Sequence, residues 1–137
     1  MRTTVFNSII AAIGGVAAFL FGELNGVLYA LIALMVLDYL TGVIGAAIRK
    51  ECSSAIGFKG ILKKFVMLVI VAVGNLVCVY VFGDTGVVRT AVICFFIANE
   101  GLSILENAGS MGVPLPKKLI GMLEQLKNKP GEGFDDD

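Results

Sequence analysis

The stretch FVMLVIVAVGNLVCVYV, residues 65–81, runs without a charge and offers only Gly74, Asn75 and Tyr80 as interruptions. A helix on the surface of a soluble domain would put polar residues down one side at helical spacing. This stretch has no such side, so it is apolar all round. Crossing a hydrocarbon core roughly 30 Å thick takes about 20 mostly apolar residues. Extended to Phe82, the stretch comes close to that length.

Three more blocks of the same kind flank it. Residues 5–22 contain no charged residue, residues 27–48 contain only Asp38, and residues 87–105 contain only Arg89 and Glu100. Hydrophobic residues make up 57% of the 137-residue chain and charged ones 16%, with a mean hydropathy of +0.89. Those values lie outside the soluble globular range and argue against a soluble helical bundle. The sequence therefore predicts an all-α integral membrane protein with four transmembrane helices and a lipid bilayer as its immediate partner. Residues 1–112 form the membrane domain; residues 113–137 form a cytoplasmic amphipathic helix and an acidic tail.

The formal net charge of zero conceals a segregation of signs. Arg49, Lys50, Lys59, Lys63 and Lys64 lie between the second and third blocks against Glu51 alone. Lys117, Lys118, Lys127 and Lys129 follow the fourth block. The connections around residues 23–26 and 83–86 carry acids and no Lys or Arg. Short loops rich in Lys and Arg stay in the cytoplasm. Both termini and the central loop, residues 49–64, are thus expected inside, with two tight turns outside. Arg2 fits this scheme; Arg89 sits near the outer end of its block and is expected to snorkel to the headgroups. The first block has two rival readings. A cleaved signal peptide lacks a convincing cleavage site before Glu23; a re-entrant first segment would leave three spans.

Two carboxylates fall inside spans, where their cost marks them for a functional hypothesis. Asp38 lies 12 residues past Gly26 and Glu100 lies 14 past Gly86, about 18 and 21 Å of helix rise. The two should share a layer, which Asn75 on the third span is also expected to approach. A polar seam of this kind lines a pore or joins subunits; the competing reading is a static hydrogen-bonded network with a protonated acid. Small residues at i, i+4 spacing (Ala11/Gly15, Gly14/Ala18 and Gly42/Ala46) allow close helix packing, within one chain or between copies.

Elsewhere the signals are mostly negative. Three cysteines without C-x-x-C spacing, and no histidine, argue against zinc or haem; Cys78 and Cys94 read as small buried hydrophobes. No phosphate loop, nucleophile–base pair or basic–aromatic surface appears. Neither catalytic residues, cofactors nor nucleic acid are expected. Beyond Gly112, Pro114 and Pro116 interrupt the helix. A short amphipathic helix then follows, with Leu115, Leu119, Met122, Leu123 and Leu126 on one face, expected to lie along the inner leaflet. The final GEGFDDD reads as a disordered acidic tail.

Asp38, Tyr39, Leu40, Thr41 and Gly42 in a row, then Ser53, Ser54, Gly57, Phe58 and Gly60, then Lys63 and Lys64, resemble the toxin-secretion/phage-lysis holin family. A second signature resembles the same family: Glu100, Ser103, Ile104, Leu105 and Asn107, followed by Gly112, Pro114, Pro116 and Leu119. That group includes clostridial toxin-export holins and many holins of Gram-positive phages. The resemblance covers roughly residues 37–123. It implies a protein that accumulates in the cytoplasmic membrane, forms homo-oligomers and opens lesions. An endolysin or toxin then escapes without needing direct contact. It implies pore or helix-packing roles for Asp38, Gly42, Glu100 and Asn107, to which the residues themselves add Asn75 and Ser103. The alternative is a small multipass channel, transporter subunit or membrane assembly factor with no lytic role.

Overall fold

A computed structural model describes residues 1–83 and 85–128. Among the described residues five helices follow one another: α1 Arg2–Phe21, α2 Gly26–Ile48, α3 Ser54–Tyr80, α4 Val87–Ser110 and α5 Lys117–Asn128. No strand occurs among the described residues. The first four are long and apolar enough to cross a membrane. The acidic tail expected after residue 128 lies outside the described residues.

Local chemistry sets the helix ends. Asn25 is the N-cap of α2 and its side chain accepts a hydrogen bond from the Leu28 amide at 3.3 Å, satisfying one of the orphan donors of the first turn. Gly83 and Gly86 take positive φ between α3 and α4. The α1–α2 and α3–α4 turns share one end of the bundle, the turn end. The α2–α3 loop and the α4–α5 connection share the other, the loop end.

Stripes at helical spacing meet in the middle. Leu28, Leu31 and Met35 of α2, Met67 and Val71 of α3, and Ile93 and Phe96 of α4 form the buried core. Large apolar residues on the opposite faces, including Ile32, Val36, Leu40, Val66, Val69 and Val73, are exposed. A bundle built for lipid shows this pattern, because lipid solvates apolar side chains as well as a core does. α4 is the hub, packing on α2, α3 and α5. A Cβ at Gly74 of α3 would lie 3.2 Å from Val92 of α4, so the two backbones approach closely there.

Three expectations change. α3 begins at Ser54, so the central loop is only Arg49–Ser53, and Lys59, Lys63 and Lys64 ride on the first turns of the helix. The apolar block marked only the lipid-clad part of a longer helix. α5 forms where the amphipathic pattern placed it, yet it folds back on α4: Leu115 faces Gly109, and Leu123 would meet a Cβ at Gly101 at 3.0 Å. Its apolar face is divided, because Leu119 and Met122 remain exposed. Lastly, α1 has no buried residue and packs mainly on α3. Its Gly14 and Gly15 have nothing within 4 Å of a built Cβ, so its small-residue pairs do not pack inside the chain.

Candidate functional site

α2 and α3 barely touch; each leans on α4. What fills the gap is Tyr39 of α2, lying across a glycine face of α3. A Cβ at Gly57 would come within 3.2 Å of its hydroxyl, and one at Gly60 within 3.7 Å of its ring. Below this strut a cavity of about 360 Å3 opens among the loop-end halves of α2, α3 and α4. Its walls include Gly42, Arg49, Lys63, Asn99, Ser103 and Asn107, and its deep end is Asp38, Lys64 and Glu100.

Asp38, Lys64 and Glu100 are each ten residues from the loop-end terminus of their own helix, about 15 Å of rise. Sharing that depth, they meet. Lys64 Nζ donates to Asp38 Oδ2 at 2.7 Å and also to Glu100 Oε2. The Glu100 side chain is 4% exposed and those of Asp38 and Lys64 are 13% and 16% exposed. Asn107 completes the cluster from α4, its Nδ2 donating to Asp38 Oδ1 at 3.1 Å and to Thr41 Oγ1 at 3.0 Å. Gly42 lies beside it: a Cβ there would sit 3.6 Å from Asn107 Nδ2, at ordinary contact distance.

Five of the six residues singled out from the sequence, Asp38, Gly42, Glu100, Ser103 and Asn107, therefore line one cavity. The shared layer of the two carboxylates is real. Lys64, the residue that ties them, was absent from that set because it read as part of a loop. A signal for it existed: two acids at one depth inside a bundle require a cation or protons, and Lys64 opens the adjoining span.

Asn75 is the correction. It sits 11 residues from Lys64 along α3, about 16 Å away, and serves the turn end. Its Nδ2 donates to Phe19 O at 3.3 Å and Leu20 O at 3.0 Å, the last carbonyls of α1. Arg89 joins it there and does not snorkel: it is 6% exposed and donates to Phe21 O at 2.5 Å and Glu23 O at 2.6 Å. A helix C-terminus concentrates unpaired carbonyls and partial negative charge, which a buried guanidinium satisfies. Cys78 also has more than a packing role, since its sulfur accepts from the Arg89 amide at 3.1 Å.

The α1 terminus fits under this clasp only because residue 22 is glycine. Gly22 has φ +74 and ψ −146, and a Cβ would collide with Asn75 Oδ1. Such backbone is essentially restricted to glycine and costs other residues about 1–3 kcal/mol. Gly22→Ala is expected to lower stability by at least that much and to free α1, read as faster proteolysis of the α1–α2 turn in micelles. Unchanged protection would mean that α1 is held elsewhere.

A family model described as the bacteriophage holin family matches residues 15–128. The chain belongs to the bacteriophage holin family. A probable holin of Bacillus phage phi105 is 35% identical over 111 residues, 81% of each chain. An uncharacterized 14.9 kDa protein of Clostridium perfringens is 42% identical over 120 residues, 88% of this chain and 91% of the relative. An uncharacterized protein of Listeria monocytogenes is 37% identical over 123 residues, 90% of this chain and 87% of the relative. No solved structure matches the chain. The holin family is not an enzyme family, and with four apolar helices the protein is a multi-pass membrane protein.

Proposed function

We propose that this chain is a working holin: it accumulates in the cytoplasmic membrane, associates with copies of itself, and opens lesions through which an endolysin or toxin leaves the cell. The observation that carries the reading is a cluster of two carboxylates and a lysine, held among membrane-spanning helices at the end of a polar cavity. Membership of the holin family supports it. Ionisable groups at that depth are expensive in lipid and gain from water and neighbouring polar groups. Association that widens the cavity into a hydrated seam supplies both. Asn99 and Ser103, on the same wall as Glu100, extend that seam along α4.

The decisive experiment is induced expression with and without a co-expressed endolysin. A holin gives abrupt lysis and enzyme release only when both are present, with loss of membrane potential in either case. A second reading, a small channel or transporter subunit, is favoured by a cavity that reaches an ionisable cluster. It would depolarise the membrane while the endolysin stayed inside.

The cation distribution supports an orientation with the loop end in the cytoplasm. Arg49, Lys50, Lys59 and Lys63 gather there, joined by Lys117 and Lys118 at the start of α5, and the turn end lacks exposed Lys or Arg among the described residues. Single cysteines near Asn25 and Gly83, with Cys52, Cys78 and Cys94 replaced, should label from outside intact cells. Positions near Lys59 and Lys118 should label only after permeabilisation. External labelling at Lys59 before any lesion forms would reverse the orientation.

A further inference from the structure

α5 is docked along α4 and points back into the bundle. Leu115 sits over Gly109 and Leu123 over Gly101, so the helix runs antiparallel to α4 and climbs away from the loop end. Gly101 is nine residues from Ser110, about 14 Å of rise. That is close to the depth of the Asp38–Lys64–Glu100 cluster. With 24 residues, α4 is about 36 Å long, against a hydrocarbon core of roughly 30 Å. Even with all of the excess standing clear at the loop end, the Leu123 contact stays about 8 Å inside the hydrocarbon.

The two sides of the bundle differ in chemistry across this band. On α2 and α3 the outward residues are apolar: Leu40, Ile44, Ile48, Ile56, Ile61 and Leu62 are exposed. Lys63 lines the cavity, and Lys59, five residues from Ser54, lies close enough to the loop end to snorkel. On α5, Ile120, Leu123 and Leu126 are half-buried, which fixes the side that meets α4. The opposite side, at 3.6 residues per turn, carries Lys117, Lys118, Gly121, Gln125 and Asn128, all of them exposed. Beside it a groove of about 480 Å3 runs between α4 and α5, and its walls include Glu106, Glu124, Lys127 and Asn128. Hydrocarbon suits the α2–α3 side. It does not solvate the α5 side, where Gln125 and Asn128 lie deeper than Leu123 and have side chains too short to reach headgroups.

We infer that the outward side of α5 is a water-facing wall. In the assembled protein it lines the lesion from the loop end to the level of Glu100, while the α2–α3 side stays against lipid. This rests on the lesion-forming function proposed above and names the surface that meets its water and hydrated solutes.

The test uses full-length chains in which Cys52→Ser, Cys78→Ser and Cys94→Ala remove the native thiols, reconstituted in phosphatidylethanolamine–phosphatidylglycerol vesicles. Gly101→Cys with Leu123→Cys should close as an intrachain disulfide under copper–phenanthroline, which fixes α5 at that depth. Nitroxides attached separately through Gln125→Cys and Leu40→Cys then report the solvent on each side. The Gln125 label should be relaxed by a water-soluble nickel chelate, and the Leu40 label, nearer the loop end, by oxygen. Absence of the disulfide would mean that α5 is not docked, and the inference falls. Nickel access at both labels would place the whole band outside the hydrocarbon, and oxygen access at both would put α5 against lipid; either result overturns the wall. In cells making endolysin, Gly121→Leu with Gln125→Leu, which alters only the side turned from α4, should accumulate normally and lose lysis at the parental time. Lysis on schedule by that variant also overturns the inference. A parent chain that never lyses would sink the holin reading instead, with the nitroxides still deciding whether α5 faces water.

Discussion

Lys64→Met is expected to be among the most damaging single substitutions in the bundle, lowering stability by about 3–5 kcal/mol. The methionine fills similar space, so packing changes little. Electrostatics change a great deal, because Asp38 and Glu100 lose the ammonium they share. Two acids then face one another at a place where Glu100 is 3% exposed. Removing one partner of a buried ion pair costs more than never having built it, since the remaining charge has no compensation. The prediction includes its own rescue: Asp38→Asn with Glu100→Gln in the Lys64→Met background should recover most of the loss. Unfolding in mixed micelles under increasing dodecyl sulfate would measure both. A Lys64→Met protein as stable as the parent would mean that the three groups do not meet.

The largest functional effect is expected from the amide substitutions. Asp38→Asn and Glu100→Gln keep shape and most hydrogen bonding, and Lys64 retains one carboxylate in each case. Stability should therefore move by no more than about 1.5 kcal/mol. If the cluster merely braces α2, α3 and α4, lysis should proceed on time. If a charged, hydrated seam drives opening, both variants should accumulate normally yet depolarise the membrane and release endolysin late or not at all. Glu100→Gln should be the more severe, because Asn99 and Ser103 beside it already make that wall the more easily hydrated. Should both variants lyse on schedule at equal protein level, the brace remains and the seam does not.

The membrane architecture was legible because a bilayer imposes a coarse requirement: length and apolarity alone mark a span. The Asp38–Glu100 layer was legible for the same reason, since helix rise converts residue number into depth. Azimuth was not. Nothing in the apolar run of α3 says which side of it meets α4, so Asn75 could be assigned a helix but not a partner. Its true partners, the carbonyls of Phe19 and Leu20, are backbone atoms and leave no trace in residue type. Arg89 misled for a related reason. A lone cation near a span end ordinarily reaches for headgroups, and only the arrival of the α1 terminus beside it gives the guanidinium acceptors within the protein. Lys64 was hidden because hydropathy reports where lipid begins, whereas the helix runs on for ten further residues to Ser54.

α1 is held by its last turn and by little else: Val5, Phe6, Ile9, Ile10, Ile13 and Val16 are all more than half exposed. Apolar exchanges along that length should be almost invisible to folding. A mutational scan read out by protein abundance would tolerate any large hydrophobe there and reject charges. The same scan read out by lysis timing need not be so permissive. Where the two profiles part, the constraint at that position comes from what surrounds the molecule in the membrane, and α1 becomes a segment whose tolerated residues record the company the protein keeps.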